Sequence, residues 1–467
     1  MAKSEARPVK TRIKKKVTGG SKPSSPKRTF WAPFLHIYQP RWQRPDILKQ
    51  IDEECYRPLF RVIDGSPNAR VTININGVLI DLLYEHNLGE TVDLLKKLVN
   101  EGKVEVVGTA KFHPLMPLLP PDENRHQIDL NEITNTATFG TQWSRKGFFP
   151  PEMAISPEVL KTIQDAGYKW VIASGIACTD AWPTNIVHQL SSGFDIFYRD
   201  DYVSNDISFG RLDASGFVQK ITHMYEDDSY IITAQDGETF GHHIKHAEQT
   251  FLKKVFEKIA KSDNVEICFI SSLNTKFPVK KGKPPRPSSW STDMQDIENE
   301  VYYPLWKNPD NPVHKIQYKL LSRVNKIIQM LDETQDPDLN NSNNGKLNME
   351  YQDYKKTARH FYDSGISSCS FWWASMRPMW SPNLILNGME LLIKAAVNAR
   401  LALVKVKNIE SQELLEEISM YYSQLLGTIT DMEAQRERVR LLPPDVLNEE
   451  DVDKLGKGRK NSNTVHE

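Results

Sequence analysis

Short apolar runs and longer amphipathic stretches alternate along most of the chain. The short runs are apolar or alternate with period two, as the residues of buried strands do. They cover residues 30–40, 70–77, 103–108, 147–152, 170–173, 230–235 and 265–271. The stretches with helical spacing lie between them, over residues 48–62, 80–85, 90–100, 122–141, 156–167 and 248–260. Strands that alternate with helices indicate parallel βαβ units.

Most of the predicted strands end in polar groups or turn residues, which favours a closed or incomplete barrel over an open sheet. Residues 181–218 are irregular, and we interpret them as an excursion over the strand ends. Residues 278–289 and 332–346 read as loops. The aromatic segment 369–375 reads as a strand. Helical spacing then dominates, over residues 314–331, 384–406 and 413–440.

Composition does not favour binding to nucleic acid or membrane, because 25% of the 467 residues are charged and the net charge is only −1. Residues 1–28 carry ten Lys and Arg against the single acid Glu5, which predicts a disordered basic tail. Such a tail is either solvated without a specific partner or makes nonspecific contacts with nucleic acid. We also expect disorder over residues 443–467.

The chain shows neither a secretory signal after its N-terminal charges nor an apolar run of membrane length. Its four cysteines are scattered without the spacing of a metal site, as expected for reduced thiols. We therefore expect a cytoplasmic protein with no membrane partner. Nothing in the sequence sets the oligomeric state.

Two carboxylates end predicted strands that lie far apart in sequence. Glu152 follows Pro150 and Pro151, and Asp236 ends an apolar run before Gly237. Alone, each residue could be an exposed loop or turn acid. Together, at one face of a barrel, they form the pair that cleaves glycosidic bonds, with one ionised acid and one protonated acid.

Aromatic residues near strand ends and in loops support a sugar site, because flat rings suit the C–H faces of sugars. They are Trp31, Tyr38, Trp290, Tyr302, Tyr303, Trp306, Trp372, Trp373 and Trp380. We expect Trp31 and one of Trp372 and Trp373 to be structural. Arg377 is either a substrate-binding residue or a surface charge.

Histidines near strand ends leave a divalent metal site open as an alternative. The candidate ligands are His36, His113, His242, His243, Asp236 and Glu238. No glutamate follows His242 as a zinc-protease motif requires. Sugar hydroxyls also need imidazole donors, so our expectation is that there is no metal and no cofactor.

Five stretches of the chain resemble glycoside hydrolase family 57 over about residues 30–440. They are His36–Pro40, Gly102–Val106 with His113-Pro114, Gly147–Ala154, Asp236–His242, and Trp290 with residues 296–299 and 371–378. The resemblance implies a catalytic (β/α)7 barrel, with Glu152 as the nucleophile and Asp236 as the proton donor. Two positions depart from the family pattern: Tyr38 replaces a frequent second histidine, and Phe149 replaces a frequent tryptophan.

The sequence thus predicts an α/β fold with an incomplete (β/α)7 barrel over residues 29–382 and a helical region over residues 383–442. The expected function is a retaining hydrolase or transferase acting on α-glucans. The residues expected to bind the sugar are His36, His113, His242, Trp290, Trp373 and Arg377. The alternatives are a metal-dependent polysaccharide deacetylase or α-mannosidase-like enzyme, and a non-catalytic glucan-binding protein.

Overall fold

The computed structural model describes residues 27–336, 345–377 and 379–441. The two tails that the sequence predicts to be disordered lie outside these residues, except for residues 27 and 28. None of the helices in the described part of the chain combines the length and the apolarity that crossing a membrane would require.

The strands are short and mostly buried. They are β1 (Thr29–Ile37), β2 (Val71–Ile75), β3 (Val104–Val107), β4 (Gly147–Phe148), β5 (Trp170–Ala173), β6 (Val187–Gln189), β7 (Asp195–Tyr198), β8 (Ser229–Asp236), β9 (Val265–Ile267) and β10 (Val279–Lys281). All nine residues of β1 are buried, as expected for a central strand that is covered on both faces.

The helices connect the strands and then dominate the C-terminal part. They are α1 (Pro45–Ile51), α2 (Arg57–Asp64), α3 (Gly77–Glu85), α4 (Gly89–Asn100), α5 (Pro121–Phe139), α6 (Pro157–Asp165), α7 (Asp201–Ser208), α8 (Ala214–His223), α9 (Lys254–Ile259), α10 (Leu273–Lys276), α11 (Met294–Glu298), α12 (Pro312–Glu333), α13 (Gly345–Gly365), α14 (Cys369–Trp372), α15 (Pro382–Lys405) and α16 (Glu410–Leu441). Single π turns span Asp52–Tyr56 and Glu248–Lys253.

The strands form two five-stranded sheets. In the first, the order is β3-β2-β1-β8 with β9 also paired to β1, and all of its pairs are parallel. In the second, the order is β10-β6-β7-β5-β4, and only β6 and β7 pair antiparallel. A parallel bridge between Gly108 and Phe148 joins the sheets beside β3 and β4. On the other side, the Asp200 N–H donates to the Ile232 carbonyl of β8.

Helices α12 to α16 share one hydrophobic core, which includes Val324, Tyr351, Met389 and Ile418. Ala154, from the loop that follows β4, belongs to the same core. The predicted boundary at residue 383 falls inside this core, so we propose that the helical region begins with α12.

The prediction that residues 369–375 form a strand is wrong, because Cys369–Trp372 is helix α14. Its aromatic side chains pack against helices instead of neighbouring strands: the ring of Phe371 stacks on that of Tyr318 at 4.9 Å. The irregular excursion predicted over residues 181–218 instead contains β6, β7, α7 and the first half of α8. Strand β7 lies between Gly193 and the polar run that begins at Arg199, and this irregular context concealed it. Helix α13 has no counterpart among the predicted elements.

Gly241 allows the loop after β8 to pack against the π turn at residues 52–56. Its φ is +129°, and a Cβ there would lie 2.0 Å from the carbonyl oxygen of Glu54. We predict that Gly241→Ala lowers the free energy of unfolding by about 2 kcal/mol or more. Urea denaturation measures this change.

Gly427→Ala is the matched control. This glycine lies on the exposed face of α16, and a Cβ there meets nothing within 4 Å. Alanine should raise the free energy of unfolding by up to about 1 kcal/mol through helix propensity. Equal effects of the two substitutions would contradict the account.

Candidate active site

The sheet register brings polar side chains of three adjacent strands to one level. His36, near the end of β1, is the Cα partner of Asn74 in β2 and of Asp236 in β8. These strands are parallel, so their carboxyl ends meet at the same edge. The candidate site lies at this edge.

Glu152 has a left-handed backbone, with φ 61° and ψ 16°. A non-glycine residue pays about 1–3 kcal/mol for such a conformation, and it persists only where its surroundings enforce it. Pro150 and Pro151 restrict the chain before it, and Met153 after it is also left-handed. The strained turn directs a carboxyl group toward the strand ends.

Trp290 holds Glu152 at two points. Its indole Nε1–H donates to the carboxylate Oε2 at 2.9 Å, and its backbone N–H donates to the Glu152 carbonyl at 3.1 Å. The hydroxyl of Ser368 lies 3.2 Å from the other carboxylate oxygen. Because an indole N–H can only donate, this arrangement stabilises the ionised form of Glu152.

Burial opposes ionisation of the same group. It raises the pKa of Glu152 to about 8, with a further contribution from the charge of Asp236. Burial also raises the pKa of Asp236, against the charges of His36 and Arg199. The pKa of Glu238 rises to about 7, again mainly through burial. The site therefore contains acids that hold protons near neutral pH, as an acid–base pair requires.

Two buried imidazoles connect Glu152 to β2. The Nδ1 atom of His36 lies 2.6 Å from the Asn74 amide oxygen, and its Nε2 lies 3.0 Å from Nε2 of His113. The Nδ1 atom of His113 lies 2.9 Å from the Ser368 hydroxyl. Burial lowers the pKa of both histidines. The ring of Tyr38 stacks on His113, with centroids 4.0 Å apart.

A cavity of about 730 Å³ opens at this edge. Of the residues predicted for the site, it is lined by His36, His113, Glu152, Asp236 and Trp290. The structure thus brings both carboxylates to one cavity from separate sheets, with an indole and two imidazoles around them.

The other predicted site residues do not line this cavity. The Nδ1 atom of His242 lies 3.1 Å from a carboxylate oxygen of Glu54. The neighbouring residue, His243, lines the cavity instead. Trp373 packs against the C-terminal helical core, while Trp372 faces the cavity. Arg377 is exposed, and its backbone N–H donates to the Ser375 hydroxyl.

Arg199 and Ser368 belong to the site, but the sequence reasoning did not select them. Arg199 follows β7, donates to the Ala234 carbonyl at 2.6 Å, and lies over the Trp290 ring at 5.9 Å. The polar run that begins at the end of β7 could have identified it. No sequence signal marks Ser368, which reaches Glu152 only through the packing of the C-terminal helices.

The alternative metal site does not match this arrangement. Among the described residues, the convergent group of three possible ligands is Glu123, His126 and Asp363, which do not line the cavity. There the guanidinium of Arg359 already pairs with Glu123 at 2.7 Å. In the cavity, the Nε2 atoms of His36 and His113 contact each other. The Nδ1 atom of His36 contacts Asn74, and the Nδ1 atom of His113 contacts Ser368.

The family model described as Glycosyl hydrolase family 57 matches residues 27–282, more than half of the chain. An α-amylase of Pyrococcus horikoshii is 27% identical over 263 residues, covering 52% of this chain and 40% of the relative. A 4-α-glucanotransferase of Thermococcus litoralis is 20% identical over 256 residues, covering 52% and 38%. The chain thus spans about two fifths of the length of the curated relatives it matches.

The fold has a similar counterpart among solved structures. The exo-type maltose-forming amylase of Pyrococcus sp. ST04 superposes with a TM-score of 0.65 at 13% identity. The match covers 91% of this chain and 94% of that one. This likeness concerns the fold alone.

The raised pKa of Glu152 makes stability depend on pH. The folded protein retains a proton on this group up to about pH 8, whereas the unfolded chain releases it near pH 4.5. The contribution of Glu152 to the free energy of unfolding is therefore fully present below pH 4.5, and it is lost as the pH rises toward 8. We predict that Glu152→Gln raises the free energy of unfolding at pH 8 by a few kcal/mol.

Thermal denaturation at pH 5 and pH 8 measures this effect. The control is Glu257→Gln, which changes an exposed glutamate of α9 and should leave the pH dependence of the wild type intact. A Glu152→Gln protein that loses as much stability as the wild type between the two pH values would contradict the assignment.

Proposed function

The chain belongs to glycosyl hydrolase family 57, and on this premise we propose that it is a retaining enzyme that hydrolyses or transfers α-glucans. The observation that carries the proposal is the setting of Glu152. Its carboxylate accepts from Trp290 and Ser368 in a cavity that Asp236 also lines. The names of the relatives support α-glucans as the substrate class.

In the proposed reaction, Glu152 attacks the anomeric carbon of the sugar and forms a covalent glycosyl-enzyme. Asp236 gives its proton to the departing glycosidic oxygen. It then takes a proton from the group that releases the sugar, either water or a sugar hydroxyl. The raised pKa of Asp236 favours this acid role.

The proposed barrel consists of β1, β2, β3, β4, β5, β7 and β8. Pairing is continuous from β8 through β1 and β2 to β3, and from β4 through β5 to β7. The Gly108–Phe148 bridge connects these two arcs on one side. On the other side, between β7 and β8, the described residues contain no paired strands. There the hydrogen bond from the Asp200 N–H to the Ile232 carbonyl connects the two arcs. An incomplete (β/α)7 barrel is the simplest description of this order.

Aromatic residues supply the proposed sugar-binding walls. Trp290, Trp372 and Tyr38 line the cavity together with His36 and His113. Flat rings can pack against sugar faces, and imidazole nitrogens can bind hydroxyls.

We further propose a cytoplasmic enzyme, since the cysteines of the chain, Cys55, Cys178, Cys268 and Cys369, are free thiols.

Loss of either carboxylate should abolish turnover. We expect Glu152→Gln and Asp236→Asn each to lower kcat on maltoheptaose by about a thousandfold or more, because each removes one half of the acid–nucleophile pair. Glu257→Gln and Asp227→Asn, which change exposed acids of the same types, should retain the activity of the wild type. Substantial turnover by both cavity variants would overturn the proposal.

Chromatography of the maltoheptaose products then identifies the acceptor. Shorter oligosaccharides alone identify hydrolysis, and longer products beside them identify transfer. If wild-type protein binds maltoheptaose but releases neither product, the enzyme proposal fails in favour of a glucan-binding protein. Turnover that is abolished by chelation and restored by zinc would instead support the metal-dependent alternative.

A further inference from the structure

Helix α7 and strand β8 form one end of the cavity. Asn205 and Phe209 line it from the C-terminal end of α7, and Gln235 lines it from β8. The two elements are fixed to each other, because the Ser204 hydroxyl accepts from the Ala234 N–H at 3.0 Å. None of these residues has a role in the reaction proposed above.

Gln235 carries a buried amide that lacks a partner. The residue is 3% exposed, and its Oε1 atom has no hydrogen-bond partner among the described residues. An unpaired polar atom in a buried site is costly, and its position in the cavity wall indicates that a ligand supplies the partner. A sugar hydroxyl suits either orientation of the amide, since a hydroxyl both donates and accepts.

Arg199 fixes the orientation of a second amide in the same wall. Its Nη2 donates to Oδ1 of Asn205 at 2.7 Å. A guanidinium can only donate, so the oxygen of Asn205 has to face it. The hydrogens on Nδ2 of Asn205 have no acceptor in the described part of the chain. They are available to a ligand in the cavity that this residue lines.

An aromatic ring lies at the rim of this end. Phe209 lines the cavity although it is 65% exposed, and the guanidinium of Arg211 lies over its ring at 5.0 Å. The turn that carries the ring is close to the loop after β8, because a Cβ on Gly210 would lie 3.5 Å from Ile244. A flat apolar ring beside unpaired amides is the combination that binds the C–H faces and hydroxyls of sugars.

The geometry of displacement decides which part of the substrate would lie here. A nucleophile attacks the anomeric carbon from one face, and the leaving oxygen departs from the opposite face. Trp290 and Ser368 bind Glu152 on the side of the C-terminal region. Asp236, proposed to protonate the leaving oxygen, directly follows Gln235 in β8. The sugar beyond the cleaved bond therefore lies beside Asp236, on the side of α7.

We propose that Gln235, Asn205 and Phe209 form an acceptor subsite for a glucose unit. This unit carries the departing oxygen and, in transfer, belongs to the glucan that takes its place. The inference rests on the proposed function for the direction of the substrate. The two amides bind hydroxyls, and the ring packs against the face of the sugar. Water cannot use the ring contact, so the subsite favours a sugar acceptor over water.

The ligand-free protein supplies the first test. Gln235→Leu replaces the amide with an apolar side chain of similar size, and Oε1 has no hydrogen bond to lose. The free energy of unfolding in urea should therefore equal or exceed that of the wild type. Gln317→Leu is the matched control and should be less stable, because the buried Gln317 donates to the Ser370 carbonyl at 3.0 Å. An equal loss of stability in both variants would show a structural role for Gln235 and overturn the subsite.

The second test compares two substrates. Maltoheptaose places sugars on both sides of the cleaved bond, whereas α-maltosyl fluoride releases fluoride and leaves the acceptor subsite empty. Gln235→Leu and Phe209→Ala should each lower kcat/KM for maltoheptaose about tenfold and leave kcat/KM for fluoride release unchanged. Gln219→Leu and Tyr202→Ala, which change exposed residues outside the cavity, should alter neither value. Equal losses on the two substrates, or no loss on either, would contradict the subsite.

Sugar binding without turnover separates the subsite from the proposed function. In ¹⁵N spectra of the side-chain amides, the Gln235 and Asn205 signals should shift as maltotriose is added, and the Gln219 signal should stay in place. Phe209→Ala should raise the maltotriose concentration at half-maximal shift about tenfold. If the wild type acts on neither substrate, the proposed function fails, while these shifts still establish the sugar site. Gln235 and Asn205 signals that do not respond to maltotriose would overturn the subsite, even in an active enzyme.

Discussion

The hydrogen bond from the Trp290 indole to Glu152 is the constraint on which the site depends. Glu152 has an unfavourable left-handed backbone and a carboxyl group whose pKa burial raises to about 8. The indole and the backbone N–H of Trp290 both bind this residue. Together they hold the turn after β4 in place and favour the ionised form of the group proposed to attack the sugar.

The C-terminal helices contribute directly to this site. Helix α13 ends shortly before Ser367 and Ser368, and the Ser368 backbone N–H donates to the His113 carbonyl. The Ser368 side chain then connects His113 with Glu152. We therefore regard the helical region as part of the candidate site, since its core also contains Ala154 from the turn that carries Glu152.

The sequence predicted the parts of the site that end strands. His36 and Asp236 could be found because apolar runs with strand periodicity lead into them, and parallel pairing then places them at one level. Ser368 could not be found, since it reaches Glu152 only through helix packing. Strand β7 was concealed between a glycine and a polar run, and the apolar, aromatic sequence of α14 resembles that of a buried strand. The substrate-binding assignments remain predictions for all six residues: His36, His113, His242, Trp290, Trp373 and Arg377.

The most direct test of the account is to trap the glycosyl-enzyme with a mechanism-based fluoroglycoside, such as 5-fluoro-α-glucosyl fluoride. Mass spectrometry of the digested protein then identifies the modified residue. The account predicts one glycosyl group on the peptide that contains Glu152, and on its side chain. Attachment to Asp236 or Glu238, or turnover of maltoheptaose with no covalent adduct under any trapping condition, would contradict it.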